Sequence, residues 1–178
     1  MTYVAFLRGI NVGGNTLVSM EDLRKAFAAL GFTNIRTVLA SGNVIFDAPN
    51  AKMPSLVSQI EKKVQSSFGF DIIVIVRAAR EIQALLESEP FKTIKVRAPR
   101  REHVSFLGED PQKGFAVSQR IKGPGYETVR VSAGEICSAV EVSGHFGTTE
   151  LMKLLEKEFG KKITTRTWNT VERIAAGW

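Results

Sequence analysis

The chain has 178 residues, of which 44% are hydrophobic and 24% charged, with a formal charge of +6. That length fits one domain or two small halves and buries enough surface to fold without a disulfide or a metal, and the composition excludes a mainly disordered chain. The longest apolar run, Ile72 to Val76, is strand-length and far short of a bilayer span, and MTYVAFLRG has no basic leader before its apolar stretch.

Tyr3 to Leu7 reads as a strand and Gly9 to Val18 as a loop. Ser19 is a good N-cap, with Asp22 at capping-box spacing. Met20, Leu23, Phe27 and Leu30 then recur at helical spacing, and Gly31 suits a helix end. Ile35 to Leu39 and Val44 to Phe46 predict a hairpin turning at Ser41-Gly42-Asn43. Pro54 fits a helix start, Leu56, Val57, Ile60, Val64 and Phe68 form its stripe, and Gly69 ends it. Asp71 to Arg77 is apolar on both faces, which predicts a central strand.

Strand, helix, strand, strand, helix, strand is the split βαβ, ferredoxin-like order: an antiparallel sheet with two helices on one face. A connecting helix over 79–86 and a loop over 90–101 follow. His103 to Leu107 predicts a strand, 109–124 at most a short helix, and 128–131 with 136–142 a hairpin around Ala133-Gly134. Thr148 to Phe159 is a strong amphipathic helix, Ile163 to Thr165 a short strand, and 167–176 a terminal helix. The second half repeats the first in element order, without visible residue identity. The expected fold class is α+β: duplicated ferredoxin-like halves with antiparallel sheets, plus a C-terminal helix. Residues 1–77 form the first half, 78–100 the connection, and 101–178 a second, degenerate half.

Charge is unevenly placed. Residues 1–90 hold 9 Lys/Arg against 8 Asp/Glu, a net of +1, and residues 91–178 hold 15 against 10, a net of +5. A basic balance favours an anionic partner, although a solvated basic loop is the commoner meaning of such a surplus. The lone Cys137 excludes an internal disulfide framework and points to a cytoplasmic setting. With one cysteine and two distant histidines, His103 and His145, no metal is expected, and no cofactor is implied. No catalytic acid, base or nucleophile is assignable.

Three segments are candidates for binding. In Arg8-Gly9-Ile10-Asn11-Val12-Gly13-Gly14-Asn15-Thr16, the spacing grazes a phosphate-binding loop, but Asn15 stands where that loop needs lysine. What remains is a glycine nest with Arg8 as a forked donor and Asn11 and Asn15 as polar groups. The plainer alternative is that glycines turn the chain and asparagines satisfy it. Ser41-Gly42-Asn43 is a hairpin signal that matters if it neighbours the first loop. The split βαβ order predicts this, because strands one and three are antiparallel neighbours. Near the C-terminus, Arg166, Trp168 and Asn169 lie in a threonine-rich stretch opening a helix, with Thr165 or Thr167 as its cap. There the alternative is an indole filling a core gap.

Phe6-Leu7-Arg8-Gly9-Ile10-Asn11-Val12-Gly13-Gly14, Met20, Leu23, Leu30-Gly31-Phe32 and Ser41-Gly42-Asn43-Val44-Ile45-Phe46 resemble the bacterial family catalogued as domain of unknown function 1697. Residues 164–171 are similar to its closing motif. The resemblance implies a duplicated ferredoxin-like fold and no established activity, cofactor or catalytic residue. Family members often carry lysine where Asn15 stands, and Arg-Asn-Trp-Asn where this chain has Arg166-Thr167-Trp168-Asn169.

Three functional readings follow. The favoured one is a pocket for a small polar or anionic ligand, such as a phosphate-bearing molecule, built from Arg8, Gly9, Asn11, Gly13, Gly14, Asn15, Ser41, Asn43, Arg166, Trp168 and Asn169. The second is a nucleic-acid-binding module using the basic surface and an open sheet face. In the third, these residues only brace the two halves.

Overall fold

The computed structural model describes residues 1–12, 17–92, 94–96, 99–108, 122–123, 125–131, 134–142 and 147–178. The chain divides into two compact units, 1–84 with 172–178, and 85–171.

The first unit runs β1 (Thr2–Leu7), α1 (Met20–Ala28), β2 (Thr33–Val38), β3 (Asn43–Asp47), α2 (Met53–Phe68), β4 (Val74–Ala78) and the start of α3 (Ala79–Glu87). The sheet order is β2-β3-β1-β4, antiparallel throughout. Helix ends follow the residues that sequence singled out. Ser19 Oγ accepts from the Asp22 amide at 3.0 Å, satisfying one of the orphan donors of the first turn. Gly69 closes α2 in the left-handed region at φ +80°, its amide donating to the Gln65 carbonyl.

Tyr3, Ala5 and Leu7 on β1 and Val44 and Phe46 on β3 form one buried cluster with Leu23 and Phe27 of α1 and Leu56, Ile60 and Val64 of α2. Aromatic packing centres on Phe46, stacked on Tyr3 at 5.8 Å and Phe32 at 4.6 Å, with Phe27 edge-on at 5.4 Å. Each such ring contributes about 1.5–3 kcal/mol by burial. The opposite sheet positions, Val4, Phe6, Ile45 and Ile75, are buried as well. Gly177 lies against this side of β3: a Cβ there would come within 3.0 Å of Ile45 Cδ1.

One expectation fails. β4 is an edge strand, not a central one, although its apolar residues are buried on both faces. Being covered above and below does not require a strand neighbour on each side, and the ferredoxin-like order itself places the fourth strand at the rim.

The second unit holds β5 (Arg100–Leu107), β6 (Lys122–Gly123), β7 (Tyr126–Val131), β8 (Glu135–Glu141), α4 (Thr148–Phe159), β9 (Ile163–Thr167) and the start of α5 (Trp168–Ala175). Its sheet order is β6-β7-β8-β5-β9. Without the two-residue rim strand β6, the order β7-β8-β5-β9 repeats β2-β3-β1-β4. The short helix expected within 109–124 lies outside the described residues, apart from β6. The fold is therefore α+β, two ferredoxin-like halves with a helix at the C-terminus.

The repetition extends to individual hydrogen bonds. The Leu7 amide donates to the Gly42 carbonyl at 2.8 Å and the Leu107 amide to Gly134 at 2.9 Å. Arg8 donates to Ile73 at 3.0 Å and Gly108 to Lys162 at 2.7 Å. This matches Phe6-Leu7 with Phe106-Leu107 and Gly42 with Gly134, a residue-level correspondence that the sequence reading missed.

Candidate functional site

The first two candidate segments meet, as the strand order required. Phe6 pairs with Asn43 across β1 and β3, and the Leu7 amide bonds to Gly42. The chain then leaves β1 through Gly9, in the left-handed region at φ +76°, which glycine reaches without a side-chain penalty. Ile10 is fully buried and pins the start of the loop.

Asn11 is the staple of this region. Its backbone is left-handed at φ +56°, a conformation asparagine tolerates better than most residues. Its Nδ2 donates to the Ala40 carbonyl at 2.8 Å and the Val18 carbonyl at 3.0 Å, and its Oδ1 accepts from the Val18 amide at 2.9 Å. Both donors are used, so one side chain closes the loop from 11 to 18 and ties it to the β2–β3 turn.

The turn is fixed in the same manner. Asn43, fully buried, donates through Nδ2 to the Val38 carbonyl at 2.8 Å and to Ser41 Oγ at 3.1 Å. Gly42 is left-handed at φ +75°, and a Cβ there would lie 3.0 Å from both Leu7 Cβ and Leu7 O. Leu39, expected at the end of a strand, instead opens the turn at φ +60°. Asn11 and Asn43 are therefore occupied by the fold. Arg8 and Ser41 are half-exposed, and Gly9 is exposed beside exposed Val12, Leu17 and Leu39. Gly13, Gly14 and Asn15 lie outside the described residues.

Arg166, Trp168 and Asn169 belong to the second unit. The Arg166 guanidinium is largely buried, although the residue as a whole is partly exposed. It donates to Thr164 Oγ1 and to the Thr165 carbonyl, both at 2.9 Å. Burial brings its pKa down to about 10, so it remains charged at neutral pH. Trp168 is half-buried, its indole edge-on to Phe91 at 5.1 Å. Thr167 caps α5 through a long bond from the Thr170 amide, 3.4 Å, reinforced by a 2.9 Å hydroxyl contact. Asn169 is exposed.

Two further features carried no motif. A cavity of about 130 Å³ in the second unit is lined by Lys95, Gly123, Tyr126, Glu127 and Glu141, among others. The second is a set of buried polar residues on the second sheet: His103, Ser105, Thr128 and Ser138. Their only sequence signal was polar residues at positions where the strand alternation places the core. Among the described residues no group of three or more His, Cys, Asp or Glu is arranged to hold a metal, and no helix is long and apolar enough to cross a membrane. Cys137 is a fully buried thiol in β8, outside any disulfide.

The fold is similar to the solved structure of a conserved bacterial protein from Streptococcus pneumoniae, with a TM-score of 0.73 over 99% of this chain and 97% of that one, at 23% sequence identity. No curated protein matches the sequence. The family model for DUF1697, proteins of unknown function, matches residues 1–136: the chain belongs to that family.

Proposed function

We propose that this is a bacterial cytoplasmic protein that binds a small polar or anionic, phosphate-bearing molecule at the loop following β1. Arg8 is the charged anchor and Ser41 a hydroxyl donor. The supporting observation is the rigid frame built around Asn11. Asn11, Gly42 and Asn43 hold two backbone segments rigidly together, and Arg8 and Ser41 sit half-exposed on that frame. A preorganised rim loses little entropy when a ligand arrives, and a guanidinium offers a phosphate two parallel donors. Gly9, Gly13, Gly14 and Asn15 complete the reading as loop backbone and polar groups. In the second unit, exposed Asn169 beside half-buried Trp168 is a further candidate contact, and Arg166 is held by its own strand.

Titration with inorganic phosphate, nucleotides and sugar phosphates, followed by thermal shift and calorimetry, tests this reading. A ligand at a hundredfold its Kd adds about 2.7 kcal/mol to stability by mass action. Arg8→Ala is expected to abolish that gain while leaving the unliganded melting temperature near that of wild type. A gain that survives Arg8→Ala, or no gain with any of these compounds, overturns it.

The charge of +6 supports nucleic acid as the alternative partner. Of the aromatic residues on β1 and β3, Tyr3 and Phe46 pack against the helices and Phe6 is buried on the other face, so this reading rests on charge alone. Filter binding across a salt series separates the two, because phosphate-backbone binding is strongest at low salt.

A further inference from the structure

The duplicated halves differ sharply at one set of equivalent positions. In the first unit, the sheet face toward its helices carries Tyr3 opposite Phe46, stacked rings in an apolar core. Aligning Leu107 with Leu7 puts His103 and Ser138 at the same two places, again directly opposite each other. Beside them, Ala5 and Val76 become Ser105 and Thr165. In the second unit Leu107, Ile136, Val140 and Ile163 pack with Leu151 and Leu155 of α4. Among these apolar positions the same face carries an imidazole and hydroxyls, and His103, Ser105, Thr128 and Ser138 are at most 2% exposed.

Part of this polar set is satisfied internally. Ser105 and Thr165 share a hydroxyl–hydroxyl bond at 2.7 Å, and His103 Nε2 meets Thr148 Oγ1, in the first turn of α4, at 3.2 Å. Two atoms are not: His103 Nδ1 and Ser138 Oγ find no hydrogen-bond partner of good geometry among the described residues. They belong to directly opposed residues on one face, whose Cβ atoms stand roughly 4.5–5.5 Å apart. A single unpaired buried donor or acceptor is already unfavourable, and two on directly opposed residues call for a shared partner.

We infer that the second unit contains an internal binding site, between His103 Nδ1 and Ser138 Oγ, for a small neutral molecule that both donates and accepts hydrogen bonds. The inference is independent of the Arg8 reading. Neutrality follows from the surroundings: the groups on this face are hydroxyls and an imidazole, with Arg101 as the charged residue two positions along β5. Burial holds the imidazole's pKa below its usual value, helped by the Arg101 charge and opposed by the Arg101 backbone, so at neutral pH the ring is uncharged. A neutral imidazole nitrogen and a hydroxyl can each give or take one hydrogen bond, which a molecule with both capacities bridges. Water is the smallest such molecule and is the probe for the test.

A crystal structure of the native protein, at a resolution that orders internal water, reads the site directly. The expected result is a bound water, or a larger neutral solute carried through purification, within hydrogen-bond distance of both atoms. A direct Nδ1–Oγ hydrogen bond, or an empty gap, overturns the inference. A double-mutant cycle gives a second reading in melting temperature, using His103→Phe, Ser138→Ala and the pair. If one molecule bridges the two residues, each single change lowers the melting temperature by several degrees, and the pair lowers it by less than the two shifts combined. Strictly additive shifts refute a shared occupant. If a variant fails to fold, the native structure decides.

Discussion

Replacing Asn11 by alanine removes a side chain that holds the β1 loop to the β2–β3 turn. Three hydrogen bonds disappear: one from the Val18 amide, one to the Val18 carbonyl and one to the Ala40 carbonyl. Val18 is buried and Ala40 exposed, so water replaces the lost bond at Ala40 but not readily those at Val18. Two buried bonds at about 0.5–1.5 kcal/mol each come to about 1–3 kcal/mol. Alanine is also less at ease than asparagine at φ +56°, which adds about 1 kcal/mol. The expected loss is about 2–4 kcal/mol, measured as a drop in the urea midpoint at unchanged slope. Asn11→Gly separates the two contributions, because glycine accepts the backbone angle. It should retain about 1 kcal/mol of what alanine loses. If Asn11→Ala unfolds within about 0.5 kcal/mol of wild type, a range typical of surface changes, the amide is not a staple and the preorganised rim loses its basis.

Other substitutions test the neighbouring claims. Gly42→Ala is expected to lose about 2–3 kcal/mol, because its Cβ would crowd Leu7 in a left-handed turn, whereas Gly31→Ala, left-handed at φ +81° in open space, should lose about 1 kcal/mol. Chemical denaturation that ranks them equally would discount the Leu7 contact. Ser19→Ala should lower stability by about 1 kcal/mol through the missing cap of α1. The histidine sets a pH dependence. The folded pKa of His103 lies below its ordinary value of 6.5, so the unfolded chain binds the proton more readily, and stability falls as pH drops through 6.5. Melting temperatures from pH 8 to 5 should show that decline in wild type and a reduced decline in His103→Gln. The Asp47 carboxylate acts lower on the scale. Hydrogen bonds from Asn34 and Thr2 hold its pKa below 3.8, and the stability they give is lost only as pH falls beneath that value.

Most of the fold was legible because its signals are local. Ser19, Pro54, Gly69 and the stripes of α1, α2 and α4 announce helices through capping and periodicity, and the element order then dictates the neighbours of each strand. The position of β4 was misread because apolar character on both faces reports covering, not rank within the sheet. The duplication could be seen as an order of elements but not as residues. Phe-Leu at 6–7 and 106–107 and the glycines at 42 and 134 are too few to stand out until the hydrogen-bond register aligns them. The candidate loop was found by its glycines and asparagines, but spacing could not show that both donors of Asn11 end on backbone carbonyls. That distinction depends on where Ala40 sits, 29 residues away. His103 and Ser138 were missed as a pair because they are 35 positions apart and only strand register opposes them.

The first unit is discontinuous: its last seven residues, 172–178, follow the whole of the second. During synthesis the amino-terminal sheet emerges early, yet the segment that lies on Ile45 is made only after the second unit. Until then an apolar side of β3 has no cover from that segment. Trimming the final residues would therefore damage the part of the molecule that is translated first.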